Sequence, residues 1–292
     1  MLIAFVGDVH GRAFHAIAAL ATLQERVSRP FDLIIQLGDL GFPDPERGDE
    51  SAKRYLAVDP AEADLGRLLH AEGDRAEALR GVRTSMAGPM HFVRGNHEDF
   101  EWLAGLPLDA TSGAARADPF DLLHYVPDGS VLDFDGFRVA FLGGVEELPG
   151  PPAIAADAYA SLMERSPSEI DLLVTHEGPY GSSAGYHGDV HGSRLMSALL
   201  ERIQPRFHVF GHAHQLAGPE PFGRTTYLGL DALVASPIWH PEARGLKPGC
   251  LGLLDTATGE LTPVTDGWLA DFPTPFDFDA WARAGGAQES LA

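Results

Sequence analysis

The strongest constraint on this chain is a set of five short polar motifs, each of which follows an apolar, β-branched run. The carboxyl ends of parallel strands meet at one edge of a sheet, so polar residues at those ends are expected to converge in an α/β fold. Each motif is a weak signal alone, but their joint occurrence after buried strands indicates one site. The motifs are Gly7-Asp8-Val9-His10, Gly38-Asp39, Gly95-Asn96-His97-Glu98, Thr175-His176 and Gly211-His212-Ala213-His214.

The composition limits the partners of the chain. Its 292 residues suit one large domain, or one domain with appendages, and carry a formal net charge of -21. Such a charge repels long polyanions and argues against extended nucleic-acid binding. A short phosphorylated substrate stays possible, because bound divalent cations invert the local charge. The acidity is also an ordinary solubility feature.

Cysteine content and hydropathy point to an intracellular, membrane-free protein. The single cysteine, Cys250, excludes a disulfide within the chain, disfavours a thiolate metal site and is expected to be a small buried hydrophobe. The apolar stretch at the N-terminus is too short for a signal sequence and is not preceded by basic residues. No apolar segment of the chain reaches membrane-spanning length. We therefore expect no membrane partner and a cytoplasmic location.

The first half of the chain has the pattern of parallel strands joined by helices. Buried strands are predicted at Leu2–Val6 and Leu33–Leu37, on either side of a helix at Arg12–Val27. The Pro- and Asp-rich segment Gly41–Asp59 is predicted to be a loop. Further strands are predicted at Met90–Arg94, Asp171–Thr175, Phe207–Phe210, Thr225–Leu228, Cys250–Leu254 and Leu261–Val264, and further helices at Ala61–Arg83 (broken by Gly73 and Gly81), Glu98–Leu103 and Ala155–Arg165.

Turn and cap signals organise the second half. Asp135-Gly136 predicts a hairpin between Val131–Phe134 and Phe137–Gly143, because both turn residues tolerate positive φ. Ser193 is the predicted N-cap of a helix that Pro205 ends. We expect one domain over residues 1–266 and a docked extension over 267–292 that frays at its end.

The motif residues are donors that suit hard or borderline divalent ions. Asp8 and His10 are two residues apart, so in an extended strand end both side chains reach the same side, and the same holds for His212 and His214. Taken singly, each motif is also compatible with a turn that carries a surface histidine. Together they supply more donors than one ion needs and a suitable number for two: Asp8, His10, Asp39, Asn96, His176, His212 and His214.

The motif series resembles the calcineurin-like metallophosphoesterase superfamily, and the resemblance extends from Leu2 to about His214. It implies an α/β fold of four layers, an αββα sandwich of mixed sheets flanked by helices. It also implies two divalent metal ions, with manganese favoured and iron, zinc, nickel or cobalt as alternatives. The implied ligands are Asp8, His10, Asp39 and His214 for one ion and Asp39, Asn96, His176 and His212 for the other, with Asp39 as the bridge.

The resemblance further implies a general acid and exposes one departure. His97 resembles the histidine that protonates the leaving oxygen; the alternative is a hydrogen-bond partner of the ligands. The second motif continues Leu40-Gly41-Phe42-Pro43, where Ser/Thr protein phosphatases have a further Asp that orients this histidine and an Arg that binds phosphate. Arg94, just before the third motif, is the candidate phosphate ligand, or else a surface arginine at a strand end.

Several other residues have two interpretations. His187 and His191 are expected near the metals or in a solvated loop, and Tyr180 and Tyr186 either stack on a base or are ordinary loop residues. His208 is expected in the core or behind the ligands.

The functional prediction is a dinuclear metal-dependent phosphoesterase that hydrolyses a phosphodiester of a nucleotide-type substrate. Two ions about 3.5–4 Å apart lower the pKa of a shared water and clamp the phosphoryl oxygens, so the bridging hydroxide attacks in line. The alternatives are a phosphomonoesterase, a dinucleoside polyphosphate hydrolase and a metal-free binding scaffold. Loss of ligands would be the signature of a scaffold, and here every ligand position is filled. The sequence leaves the oligomeric state open.

Overall fold

Two mixed β-sheets pack face to face and helices cover both outer faces, in a computed structural model that describes residues 1–184 and 189–286. The predicted α/β sandwich of four layers is confirmed. Alternation of buried strands with amphipathic helices produces it, because each sheet has one apolar face for its partner sheet and one for helices.

The first sheet has a parallel centre and antiparallel edges. Within the described residues its strand order is β15-β14-β1-β2-β3-β5-β4. Strands β1, β2, β3 and β5 are parallel, whereas β14 and β15 close one edge and β4 the other. The strands are β1 (Leu2–Val6), β2 (Leu33–Gln36), β3 (Met90–Phe92), β4 (Ala115–Arg116), β5 (Leu123–Tyr125), β14 (Leu251–Asp255) and β15 (Glu260–Val264).

The second sheet repeats this plan. In the described part of the chain its order is β12-β13-β11-β8-β7-β6, with β13, β11, β8 and β7 parallel and the two edge strands antiparallel. The strands are β6 (Val131–Phe134), β7 (Phe137–Leu142), β8 (Leu172–Thr175), β11 (Phe207–Phe210), β12 (Ala217–Phe222) and β13 (Thr225–Gly229). A separate small ribbon pairs β9 (Ser183–Ala184) with β10 (Val190–His191).

Apolar side chains fill the space between the sheets and beneath the helices. Phe5 and Ile35 of the first sheet meet Phe141 and Val209 of the second in one buried cluster. The helices lie on the outer faces. They are α1 (Ala13–Val27), α2 (Glu50–Leu56), α3 (Asp64–Leu69), α4 (Gly73–Ser85), α5 (Phe100–Gly105), α6 (Ala156–Met163), α7 (Arg194–Ile203), α8 (Trp268–Asp271) and α9 (Phe278–Arg283).

The prediction of a loop over Gly41–Asp59 is wrong. This segment contains a short 3₁₀ helix at Pro45–Arg47 and the helix α2. Asp49 caps α2, since its Oδ1 accepts a hydrogen bond of 2.7 Å from the Ala52 N–H. The Pro and Asp residues that suggested a loop therefore act as helix starts.

The predicted helix over Ala61–Arg83 is divided at a different place. A 3₁₀ helix at Pro60–Ala63 leads into α3, and residues 70–72 separate α3 from α4. Gly73 begins α4 with a positive φ of 56°, whereas Gly81 lies inside that helix without interrupting it. A single glycine inside a helix lowers its stability by only about 1 kcal/mol relative to alanine, too little to break a packed helix.

Two local predictions in the second half are confirmed. Asp135 and Gly136 both have positive φ in the β6–β7 turn, and Ser193 caps α7 by accepting a hydrogen bond of 3.0 Å from the Met196 N–H. The short strand β5 and the edge strand β12 were not predicted. Cys250 is buried, as expected.

The C-terminal extension packs on the first helix layer. The Phe278 ring stacks on Phe14 of α1 at 4.6 Å between centroids, and Leu269 of α8 is fully buried. The extension was predicted to fray at its end, and residues 287–292 lie outside the described residues. None of the described helices has the length and hydropathy needed to cross a bilayer.

We expect Phe278→Ala to lower the free energy of unfolding by about 3 kcal/mol, because it removes a buried aromatic ring from the contact with α1. Urea denaturation measures this change. Trp239→Ala is the matched control, since Trp239 is 63% exposed and its loss should change stability by less than about 0.5 kcal/mol. Equal midpoints for both variants would contradict the packing of α9.

Candidate metal centre

All five motifs lie at the carboxyl ends of parallel strands, and the two sheets bring these ends to one common edge. The motifs follow β1, β2, β3, β8 and β11. Backbone hydrogen bonds join them across the edge: the His10 N–H donates to the Asp39 carbonyl at 2.8 Å, and the Gly211 N–H donates to the His176 carbonyl at 2.9 Å. The predicted convergence is therefore present.

The local backbone differs from the extended strand ends that we expected. His10, Asp39, His212 and His214 have φ values of 46°, 53°, 67° and 50°. Few non-glycine residues adopt this left-handed region, and such residues cluster at functional sites. The paired side chains are thus oriented by tight left-handed turns and not by strand alternation.

The first group consists of Asp8, His10, Asp39 and His214, whose ligand atoms all lie within 4.8 Å of one another. His10 Nε2 is 3.0 Å from His214 Nε2, 3.9 Å from Asp8 Oδ2 and 3.8 Å from Asp39 Oδ2. Asp8 Oδ2 is buried without a hydrogen-bond partner among the described residues, although His214 Nε2 lies 3.0 Å away. Converging donors around an unsatisfied carboxylate oxygen fit a divalent cation.

The second group lies on the other side of Asp39. His176 Nε2 is 3.5 Å from Asp39 Oδ1 and 3.0 Å from Asn96 Oδ1. The ring of His212 lies beside that of His176, with 4.9 Å between centroids. Asp39 therefore turns Oδ2 toward the first group and Oδ1 toward the second, the arrangement that a bridging carboxylate requires.

The tautomer of His176 is fixed by its surroundings. Its Nδ1 lies 2.8 Å from the Leu37 carbonyl oxygen, which can only accept. Nδ1 must then carry the proton, and Nε2 keeps its lone pair directed at Asp39 and Asn96. Carbonyl partners of this kind orient histidine ligands in metalloproteins.

Burial and mutual charge set the protonation of the site. Burial lowers the pKa of His10 to about 3, and burial together with the charge of His176 lowers the pKa of His212 to about 3. Burial would raise the pKa of Asp39, but the nearby His176 and His97 hold it well below the ordinary value. Anionic carboxylates with neutral imidazoles are the protonation states that metal binding needs.

His214 differs from the other imidazoles. Burial opposes its charged form, but the Asp8 carboxylate 3.0 Å away outweighs burial and raises the pKa of His214. A cation between Asp8 and His214 would replace that proton.

Glu98 holds the second and third motifs together. Its buried carboxylate accepts hydrogen bonds from the N–H groups of Leu40, Gly41 and Gly95 at 2.9, 3.2 and 3.1 Å. Burial raises its pKa to about 8. The sequence shows Glu98 only as the last member of a motif, and nothing in it indicates this clamp.

Asp49 supplies the partner of His97 that the second motif lacks. Its Oδ2 is 3.0 Å from His97 Nδ1. Burial alone would lower the pKa of His97, but the bond to Asp49 and the charge of Asp39 raise it to about 9. Sequence reasoning missed Asp49 because the residue lies in the segment predicted to be a loop, and its N-cap position was the only available signal.

The sequence left two interpretations of Arg94, a phosphate ligand or a surface arginine at a strand end. In the structure its side chain is buried, and its guanidinium donates hydrogen bonds to three acceptors of the protein. Nε donates to Asp128 Oδ2 at 2.7 Å, Nη1 to the Pro151 carbonyl at 2.6 Å and Nη2 to the Ala153 carbonyl at 2.7 Å. The physical reason is that three protein acceptors satisfy a buried cation that would otherwise be too costly to desolvate. Arg94 thus anchors residues 151–153.

The remaining candidates are distributed around the site. The His191 ring lies 5.5 Å from that of His212, and His208 is fully buried with Nε2 2.8 Å from Thr175 Oγ1. Arg194 covers one face of the Tyr180 ring at 3.9 Å. The predictions for Tyr186 and His187 lie outside the described residues.

Two stacked mixed sheets with clustered carboxylate and imidazole donors at one edge define an α/β protein of the metallohydrolase type. The chain belongs to the calcineurin-like phosphoesterase family, whose model matches residues 1–216. The family resemblance drawn from the motifs is confirmed.

Individual relatives match parts of the chain. A UPF0046 protein of Caenorhabditis elegans is 32% identical over an alignment of 178 residues that covers 55% of this chain and 60% of that protein. The chain therefore spans less than two thirds of the length of this relative. Human metallophosphoesterase domain-containing protein 1 is 33% identical over 78 residues, 26% of this chain and 23% of its own. One solved structure covers 90% of this chain and 98% of its own with a TM-score of 0.54 at 14% identity, which shows a shared fold.

We expect Gly38→Ala to displace His176 and to lower the bound divalent metal by about one ion per chain. A Cβ at Gly38 would lie 2.4 Å from His176 Nδ1. Gly136→Ala is the matched control, because Gly136 also has positive φ but a Cβ there would meet nothing within 4 Å, so only backbone strain results. Elemental analysis of both variants after reloading with Mn²⁺ measures the difference; equal metal content would contradict the prediction.

Proposed function

We propose that this protein is a dinuclear metal-dependent phosphoesterase that acts on a phosphodiester of the nucleotide type. The observation that carries the proposal is the position of Asp39, whose two carboxylate oxygens face two separate donor groups, one with His10 and one with His176. Membership of the calcineurin-like phosphoesterase family supports the same reaction class.

The residues of the two groups would hold two divalent ions. Asp8, His10, Asp39 and His214 would hold one, and Asp39, Asn96, His176 and His212 the other. When bound, such a pair supplies Lewis-acid stabilisation of the phosphoryl oxygens and an activated water. The protein itself contributes donors that are already in place, among them the Asp8 and Asp39 carboxylates, which attract cations.

His97 is the proposed general acid. It is about one third exposed, so a substrate oxygen can reach it, and its ring lies 5.7 Å from that of His10. The Asp49 carboxylate favours the protonated imidazole at neutral pH. A protonated, accessible imidazole beside the metal ligands is suited to give its proton to the leaving oxygen.

The charges around the site favour a diester over a monoester. A phosphomonoester carries close to two negative charges at neutral pH, and a diester carries one. Arg12 next to the first motif is paired with Asp59 and Glu62, and Arg94 next to the third motif is paired with Asp128. Neither guanidinium is available to offset the second charge of a monoester.

The experiment that tests the proposal is a substrate panel with Mn²⁺, Fe²⁺, Zn²⁺, Ni²⁺ and Co²⁺. The panel contains 2′,3′- and 3′,5′-cyclic nucleotides, a linear dinucleotide, nucleoside monophosphates and a dinucleoside polyphosphate. We expect kcat/KM to be highest for a diester and Asp39→Asn to abolish turnover. Preference for a monophosphate or for the dinucleoside polyphosphate would favour those alternatives, and absence of both metal and turnover would favour a binding scaffold.

We expect His97→Ala to reduce turnover of an unactivated alkyl diester by about 100-fold, the usual contribution of a general acid. A diester with a p-nitrophenyl leaving group should lose much less, because that oxygen leaves without a proton. His240→Ala, which removes an imidazole that is 61% exposed, serves as the control. Equal losses on both substrates would exclude the acid role.

We expect Asp49→Asn to give a smaller loss, about 10-fold, again confined to the unactivated diester. Asparagine keeps the cap of α2, so the helix should stay folded while the negative charge beside His97 is lost. Glu50→Gln, one residue away and exposed, is the control. Steady-state turnover rates on the two diesters measure the effect. An equal loss of turnover on both diesters would indicate a structural role for Asp49.

A further inference from the structure

A second set of potential metal ligands lies beside the two groups described above. Glu177, His191 and His212 present ligand atoms that lie within 4.8 Å of one another. The three residues come from different segments: Glu177 follows β8, His191 ends β10 and His212 follows β11. Only His212 also belongs to the proposed pair.

Glu177 is a buried carboxylate without a cationic partner. It is 3% exposed, and its Oε2 accepts one hydrogen bond of 2.8 Å from the Glu146 N–H. Within residues 1–184 and 189–286, no lysine or arginine lies within ion-pair distance of it. A buried carboxylate is costly unless a positive charge or several hydrogen bonds compensate it.

The backbone around the three residues is fixed. Thr175 Oγ1 donates to the Glu177 carbonyl at 2.7 Å, and the Ser193 N–H donates to the Gly178 carbonyl at 2.8 Å. The Gly181 N–H donates to the His191 carbonyl at 2.9 Å. A Cβ at Gly178 would lie 2.3 Å from the Phe210 ring, so this close packing holds Glu177 near the strand that leads to His212.

The ring of His212 lies between two other imidazoles. Its centroid is 4.9 Å from that of His176 and 5.5 Å from that of His191. An imidazole has two ring nitrogens. One nitrogen of His212 can face the ion of the second group, and the other nitrogen can face a further ion. For both nitrogens to bind an ion, the ring N–H proton is released to solvent and the ring becomes an imidazolate.

We propose that Glu177, His191 and His212 form a third divalent cation site that borders the proposed pair. One carboxylate and two imidazoles are a donor set typical of Zn²⁺ and other borderline first-row ions, with further positions left for water or a phosphate oxygen. The inference rests on the proposed pair only through His212.

The experiment measures Zn²⁺ bound per chain. The full chain is stripped with a chelator and titrated with Zn²⁺ against a chromophoric indicator, with elemental analysis of the saturated protein. We expect three ions in the wild type and two in Glu177→Gln and in His191→Ala, or at least a 10-fold weaker third step. His240→Ala, which removes one member of an exposed His–Glu pair, should retain three.

The variants separate this site from the pair. His191 is partly exposed at the end of the small ribbon, so its replacement should not disturb folding. If Glu177→Gln impairs folding because Glu177 is buried, His191→Ala still tests the site. If the wild type and both variants each bind two ions, the third site is overturned and the proposed pair is left intact. A drop to one ion in either variant also overturns it, because Glu177 or His191 would then serve the pair itself. No bound ion in the wild type overturns both proposals.

Discussion

The site depends on the Asp39 carboxylate, which is buried and faces two groups of donors at once. The backbone of Asp39 has the left-handed conformation. Its Oδ1 also accepts hydrogen bonds of 2.8 Å from the Asn96 and His97 N–H groups. Neighbouring glycines make this possible, since a Cβ at Gly95 would lie 2.0 Å from Asp39 Oδ1. The glycine that opens the third motif is therefore a steric requirement of this carboxylate, and the glycine that opens the second motif is a steric requirement of His176.

Burial divides the histidines of the site by protonation state. His10 and His212 are desolvated, which keeps them neutral and their lone pairs available. His97 lies nearer to solvent and beside Asp49, so it holds a proton. The same type of side chain thus has two protonation states within one site, and the difference comes from the carboxylate that each ring faces and from access to water.

The segment between β2 and β3 has two functions in the fold. It brings Asp49 to His97, and through Asp59 and Glu62 it pairs with the buried Arg12 beside the first motif. Arg12 Nη1 also donates to the His10 carbonyl at 3.2 Å. Because one segment touches both the predicted acid and a ligand turn, its helices are part of the support of the site, although their sequence carries no motif.

Local sequence patterns were enough to predict the alternating strands and helices, the hairpin at Asp135-Gly136, the cap at Ser193 and the convergence of the five motifs, because hydrophobic periodicity, turn chemistry and strand-end position are local properties. The layered arrangement of the two sheets was expected only from the resemblance of the motifs to a known family. The partners of Asp49, Arg94 and Glu98 are visible only in the folded structure. Asp49 meets His97 across 48 residues of chain and Arg94 meets Asp128 across 34, and no local pattern encodes which distant partner satisfies a buried charge. The left-handed turns at His10 and His212 were also beyond prediction, since such strained conformations persist only where surrounding contacts impose them.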